Sequence, residues 1–454
     1  MDMAREPSTI DVDNRSLMGA RSAFVFVIAV LVLRFLIEAI WLLPSPVGDS
    51  AFFLTASANY CQSGFFGTTA FPIDPSGHSR MVWHGFVSPM LFSALNPACS
   101  APGYYVILWL VKALTAAAIL WLSRKRHYSL STMLGLAIFT LAAQSFIAFR
   151  PECFAILLVV LAELAIEAEQ PLLLGAVMGS LLCTQPTVAG LHGLVLLITR
   201  PALIRKYLPI GIGYAVAVAA LLALYPFPLQ DLAQGILLQA RRLVGRSDGS
   251  VLSYYVLFPL LPGWSFLLVA AGTVVARRMP LIVLMLPVFW FFGPRVPPTF
   301  YNLIPSCVLL LLIASGWSSR FVANLLGSAS FIVGAVGLTL LCTRDVLTIA
   351  RYGDTFRSTS SEVTQWEARG AHIGTAPAFL SLTNPELHVT DPNAPQPAAG
   401  ALDRDSIDLY AVNGRPISPC PLGPVAPGVS LAIGNTALFN SNSGWMVYVC
   451  RPPI

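Results

Sequence analysis

The sequence predicts an all-α polytopic membrane protein of about eleven transmembrane helices. Interfacial helices occupy its first outer loop, and a small C-terminal α/β or β domain lies outside the membrane. Three observations carry this. Hydrophobic residues make up 56% of the 454-residue chain and charged residues only 11%, against about 25% charged in a soluble domain. Mean hydropathy is +0.71, so the charges are too few to cover a water-soluble fold of this size. Basic residues also cluster at alternate turns between apolar runs, the pattern of a polytopic membrane protein. A soluble enzyme, a disordered chain and a nucleic-acid-binding factor are excluded together. The net charge of +5 has a topological source: residues 101–344 hold 16 Lys/Arg against 6 Asp/Glu, while residues 345–454 hold 6 against 9.

A spanning helix needs roughly 20 apolar residues. After a cytoplasmic tail at 1–21, the first candidate runs from Ser22 to Leu43, too long and too interrupted by Arg34 and Glu38 for a cleaved signal peptide. Further runs lie near 101–122, 129–149, 152–168, 171–185, 187–199, 208–227, 251–275, 280–292, 301–315 and 323–343. Arg124-Lys125-Arg126, then Arg200 with Arg205-Lys206, then Arg277-Arg278, then Arg320 fall at alternate turns. Assigning them to the cytoplasm puts the N-terminus inside and the chain after Thr343 outside. The membrane module is thus 22–345, and 346–454 forms an extracytoplasmic domain. There Pro, Asn, Ser and Asp are frequent, and "SLAIGNTALF" and "WMVYVC" read as strands. That domain is either a structural cap or a substrate-binding element. Arg-rich usage without a retention signal fits a bacterial inner membrane whose outer face is periplasmic.

Cysteines agree with this sidedness. Cys61 and Cys99 share the first outer loop, Cys420 and Cys450 the C-terminal segment, so both pairs meet an oxidising compartment and are positioned for disulfides. Cys153, Cys183, Cys307 and Cys342 lie in or beside apolar runs as packed thiols. The absence of CxxC or Cys/His ligand spacing argues against a structural zinc.

Polar residues without a topological purpose collect on the outer face. Asp49, in "PSPVGDSAFFLTASANY", is either the cap of the next helix or a functional carboxylate. "SAFFLTASANYCQSGFF" and "MVWHGFVSPMLFSAL" are amphipathic and aromatic, as helices lying in the membrane interface are. Tyr60 belongs to the first and His84 to the second, His84 serving as a structural hydrogen-bonder or a base. "FRPECFAILL" brackets a proline with Arg150 and Glu152. The pair is an interfacial anchor with a first-turn acid, or it faces a cavity. Glu163, Glu167 and Glu169 form an acidic rim at the inner end of the same span. Gln185 precedes Pro186 on the outer face. "LLQARRLVGRSDGS" places Arg241, Arg242 and Arg246 in an outer loop against the positive-inside trend. Arg242 and Arg246, one helical turn apart, converge on a phosphate or simply meet anionic headgroups. "FGPRVPPTFYNLIP" adds Arg295 and Tyr301 at another outer mouth. Their common sidedness points to an anionic, lipid-linked ligand.

On these residues the chain resembles the GT-C superfamily of integral membrane glycosyltransferases, in particular the types dependent on polyprenyl-phosphate sugars. "GDSAFFLTASANY" is similar to their first-loop acidic motif, "RPE" to a sequence at the start of a middle helix, and "RVPPTFYNLIP" to their late arginine/tyrosine–proline segment. The resemblance covers roughly residues 22–320. It departs where many relatives carry a second acid beside the first, since Ser50 follows Asp49 here and the next loop acid is Asp74. The resemblance implies sugar transfer from a polyprenyl phosphate to a glycan, lipid or protein acceptor on the outer face, with inversion. Asp49 is then the general base. Arg241, Arg242, Arg246, Arg295 and Arg150 stabilise the departing lipid phosphate, and Tyr60, His84, Glu152, Gln185 and Tyr301 contact substrate. No cofactor is implied beyond the lipid-linked donor, and divalent-metal dependence is left open. Two rivals stand beside it: a transporter or flippase for an anionic solute, which needs ionisable groups at mid-membrane, and a non-catalytic lipid-binding member. Arg34, Glu38 and Lys112 are the residues at membrane depth.

Overall fold

The structure, a computed structural model, describes residues 9–43, 49–68, 79–81, 85–244, 303–317, 319–352, 355–375, 388–389, 409–413 and 445–449. It is mostly helical. Three helices are long and apolar enough to cross a membrane, at Arg21–Ile40, Ala101–Lys125 and Arg320–Leu347, and five shorter apolar helices accompany them among the described residues. The runs expected at 251–275 and 280–292 lie outside the described residues.

Helix α1 (Thr9–Phe35) starts well before the expected Ser22 and passes into a π-helical turn at Leu36–Ile40. Helix α2 (Asp49–Ser63) follows, then strands β1 (Gly67–Thr68) and β2 (Ser79–Arg80), paired antiparallel, and helix α3 (Val87–Leu95). Residues Phe52 to Ala58 are buried without interruption, so protein surrounds two turns of α2 on every side. This differs from an interfacial helix with one face in lipid. Helix α3 keeps an apolar outer stripe, with Leu91 and Leu95 exposed one turn apart. The expected Cys61–Cys99 disulfide is formed and ties the end of α2 to the segment before the next helix. The second expected pair, Cys420–Cys450, lies outside the described residues.

Five antiparallel helices follow: α4 (Ala101–Lys125), α5 (Leu130–Phe146), α6 (Pro151–Glu167), α7 (Pro171–Thr184) and α8 (Pro186–Thr199). Their boundaries are local chemistry. Ser100 and Ser129 cap α4 and α5 by accepting from the amides of Gly103 and Thr132 at 3.3 Å. Pro151, Pro171 and Pro186 each open a helix at the position where the missing N–H costs nothing. A 3₁₀ turn (Pro201–Lys206) leads to α9 (Tyr207–Ala223) and α10 (Leu229–Val244). The stretch expected as an outer loop therefore carries a helix, because Leu229, Leu232, Ile236 and Leu237 recur at helical spacing.

Helix α11 (Leu303–Trp317) and α12 (Arg320–Tyr352) come next, α12 running unbroken past residue 345. It lies against α5 at glycine-mediated contact: a Cβ on Gly135 would stand 1.9 Å from the Gly327 carbonyl oxygen, and one on Gly327 2.4 Å from Thr132 Cα. Small residues allow such backbone approach between helices in lipid. Helix α13 (Thr355–Glu367) precedes β3 (Ile373–Thr375), β4 (His388–Val389), β5 (Leu409–Asn413) and β6 (Trp445–Val449), the last matching the expected "WMVYVC" strand. The four form one sheet in the order β4-β3-β5-β6, with β3 parallel to both neighbours and β6 antiparallel to β5.

The largest apolar core is shared by α1, α4, α5, α6 and α11. Large apolar side chains also cover the outside of the bundle, among them Trp121 at 63% and Phe321 at 76% exposure. A water-soluble bundle places polar residues there; this exterior suits a lipid environment.

Candidate functional site

The candidate site is assembled where α6 and α8 begin. Arg150 stands at the N-cap of α6 but, being a donor only, cannot cap it; its guanidinium turns to Glu152, Nε reaching Oε2 at 3.2 Å and Nη2 reaching Oε1 at 3.3 Å. Gln185, at the junction of α7 and α8, donates from Nε2 to Glu152 Oε1 at 3.1 Å. All three are buried, with exposures of 7%, 3% and 1%. The chain reaches Arg150 through Phe149, whose φ of +65° is a left-handed conformation costing an L-residue about 1–2 kcal/mol. Aromatic packing holds it there, its ring meeting Tyr105 at 4.8 Å and Phe92 at 6.0 Å.

Two other segments close on this point. The Ser50 hydroxyl donates to the Ala148 carbonyl at 3.1 Å, bringing the first turn of α2 onto the loop before α6. The Gly85 amide donates to the Cys183 carbonyl at 3.3 Å, and a Cβ on Gly85 would lie 2.5 Å from Pro151 Cγ. Only glycine fits this approach, and its φ of +84° also favours glycine. The starts of α2, α6 and α8 and the turn before α3 are thus neighbours. Asp49 is the first residue of α2. Of the expected site residues, the structure brings together Arg150, Glu152 and Gln185, with the backbone of Asp49 one residue from the Ser50 contact.

Tyr60 is not among them. It lies eleven positions along α2 from Asp49, about 16 Å of helix rise, where its ring meets Phe66 at 5.2 Å. That region is an aromatic cluster with Phe86, Tyr225 and Phe227. There Arg80 stands 5.3 Å over the Phe227 ring and pairs with Asp231 at 3.1 Å, neither of which the sequence singled out. His84, Arg246, Arg295 and Tyr301 lie outside the described residues, as do the side chains of Asp49, Arg241 and Arg242. The last two are consecutive residues near the end of α10.

Two buried ionic networks lie elsewhere in the bundle. In one, Glu38 Oε1 accepts from Arg34 Nη2 at 2.6 Å and from Lys112 Nζ at 2.5 Å, and Arg34 Nη1 reaches Asp345 at 3.0 Å. Arg344 also pairs with Asp345, at 2.7 Å. All five side chains are at most 8% exposed, and Glu38 sits in the π-helical turn, a feature frequent at functional positions. The three charges expected at membrane depth are therefore partners of one another. The second network closes the opposite ends of α4, α6 and α8. Arg126 reaches Glu163 at 2.6 Å, Glu167 at 2.8 Å and the Leu312 carbonyl at 3.1 Å. Arg200 and His192 each approach Glu163 at 3.4 Å. Burial works against the Arg126 charge, but Tyr128, Glu163 and Glu167 more than offset it and hold the guanidinium above its ordinary value. Of the three carboxylates read as an acidic rim, Glu163 and Glu167 are buried or partly buried partners of arginines from two other helices, while Glu169 stays on the surface and pairs with Lys206 at 3.6 Å.

No grouping of three or more His, Cys, Asp or Glu suited to a metal ion occurs among the described residues. Comparison with protein-family models, with curated proteins and with solved structures finds no match to this chain.

Proposed function

We propose that the protein is a membrane-embedded glycosyltransferase of about eleven spans. It moves a sugar from a polyprenyl-phosphate donor to a glycan, lipid or protein acceptor on the outer face of a bacterial inner membrane. The N-terminal tail is then cytoplasmic and the segment from 346 onward periplasmic. The observation that carries the reading is the buried Arg150–Glu152–Gln185 group beside the helix that begins at Asp49. A cation for a lipid phosphate and acceptors for hydroxyl groups stand together at a point where three helix N-termini favour an anion. Asp49 takes the proton from the attacking acceptor hydroxyl as the anomeric carbon inverts, and Arg150, with arginines of the 241–246 segment and Arg295, stabilises the leaving phosphate. Turnover of radiolabelled polyprenyl-phosphate sugars by the purified protein in lipid nanodiscs tests this, with and without added divalent metal. Asp49→Asn is expected to abolish transfer while folding and lipid binding persist; undiminished transfer removes Asp49 from the role.

A second reading, transport of an anionic lipid-linked solute, is favoured by the five charges buried among α1, α4 and α12, since transporters place ionisable groups at membrane depth. It predicts movement of intact sugar lipid across proteoliposomes without cleavage of the glycosyl phosphate.

A further inference from the structure

Within the candidate site one atom has no counterpart. Gln185 Oε1 accepts no hydrogen bond among the described residues, and the residue is 1% exposed. The orientation of the amide is set by chemistry. An ionised carboxylate only accepts, so the Gln185 NH₂ must face Glu152 and the carbonyl must face away. Two hydroxyls of the adjoining segments are committed elsewhere. The Thr184 hydroxyl donates to the Ser180 carbonyl at 2.8 Å and the Ser50 hydroxyl to that of Ala148, and the Gln185 side chain makes no cap bond to α8. Buried acceptors are ordinarily satisfied by protein, water or a bound molecule, and this one has no donor among the described residues.

The kind of donor follows from the neighbours. Glu152 already has the Arg150 guanidinium as counter-cation at 3.2 Å, so an ammonium brought beside them meets a like charge, whereas a neutral hydroxyl meets none. We propose that Gln185 is a specificity-determining residue whose Oε1 accepts a hydrogen bond from a hydroxyl of the ligand's sugar head, with Glu152 holding the amide in register. This rests on reading the site as one for a lipid-phosphate sugar. Arg150 answers the phosphate, which every polyprenyl phosphate carries; Gln185 answers the sugar, which only the glycosylated lipid carries.

The test compares binding to the full-length protein in nanodiscs of sugar-free polyprenyl phosphate and of a panel of polyprenyl-phosphate hexoses and pentoses. The wild type is expected to favour one sugar lipid over the sugar-free lipid, and Gln185→Met to lower affinity for that sugar lipid about fivefold more than for the sugar-free one, the worth of one hydrogen bond. Monodeoxy analogues of the preferred sugar, tested on wild-type protein alone, remove any dependence on how well the variant folds. Loss of one hydroxyl should cost about fivefold. A preference that survives Gln185→Met, or a deoxy series with no sensitive position, overturns the role of Gln185 and leaves the lipid-phosphate reading standing. A wild type that binds the sugar-free lipid but prefers no sugar lipid does the same. A wild type that binds neither kind of lipid defeats the reading of the site, and the proposal with it.

Discussion

Glu38 is the hinge of the buried ion network, and removing its charge gives a sharp test of how that network is balanced. Its Oε1 holds both Arg34, at 2.6 Å, and Lys112, at 2.5 Å. In Glu38→Gln the side-chain volume is kept, and Arg34 retains Asp345 at 3.0 Å. Lys112 retains nothing equivalent: it is 1% exposed, and Glu38 is its only ion-pair partner among the described residues. A buried charge stripped of its partner costs about 3–5 kcal/mol, whereas removing both members of a pair is often close to neutral. Glu38→Gln should therefore destabilise the protein by about 3 kcal/mol, or roughly 150-fold in the folded-to-unfolded ratio at 1.4 kcal/mol per tenfold. Glu38→Gln combined with Lys112→Met should recover most of that loss. Equilibrium unfolding in mixed micelles, read by accessibility of the buried cysteines Cys153 and Cys307, supplies both values. A single variant within about 1 kcal/mol of wild type, or a double variant no better than the single, refutes the pairing argument.

Three further outcomes follow from the packing. Arg126→Met leaves Glu163, fully buried, with only the longer contacts to Arg200 and His192, and should cost about 3 kcal/mol in the same assay; Arg126→Lys should recover only part, since one ammonium cannot replace a fork reaching Glu163, Glu167 and the Leu312 carbonyl. Gly327→Ala places a methyl 2.4 Å from Thr132 Cα and should cost about 1–3 kcal/mol through overpacking of α5 against α12, while Gly190→Ala, whose Cβ meets nothing within 4 Å, should be neutral or stabilising by up to about 1 kcal/mol. Replacing Cys61 and Cys99 by serine opens a loop closed over a sequence separation of 38 and should cost about 4 kcal/mol by loop entropy, with the wild type showing a matching loss of stability under reductant.

Local sequence information sufficed for the apolar, membrane-like character of the chain, for most of the helices among the described residues and for the pairing of Cys61 with Cys99. Each rests on local information: apolar runs of a given length, a serine or proline where a helix begins, two cysteines in one polar loop. It also brought Arg150, Glu152 and Gln185 to attention, because each stands beside a proline at the start or end of an apolar run. What local pattern cannot carry is partnership. Glu38 and Lys112 are 74 positions apart, Arg34 and Asp345 are 311 apart, and both contacts depend on how far each helix is rotated about its axis. The same reason hid the arginine partners of Glu163 and Glu167. It also explains why α2, amphipathic enough to read as an interfacial helix, is instead enclosed by protein. Hydropathy states how much apolar surface a helix carries; only the packing of its neighbours decides whether lipid or protein covers it. Tertiary structure likewise decided that Glu152 and Gln185, 33 positions apart, meet with one carbonyl left over, and that Tyr60 faces an aromatic cluster far along α2 from Asp49.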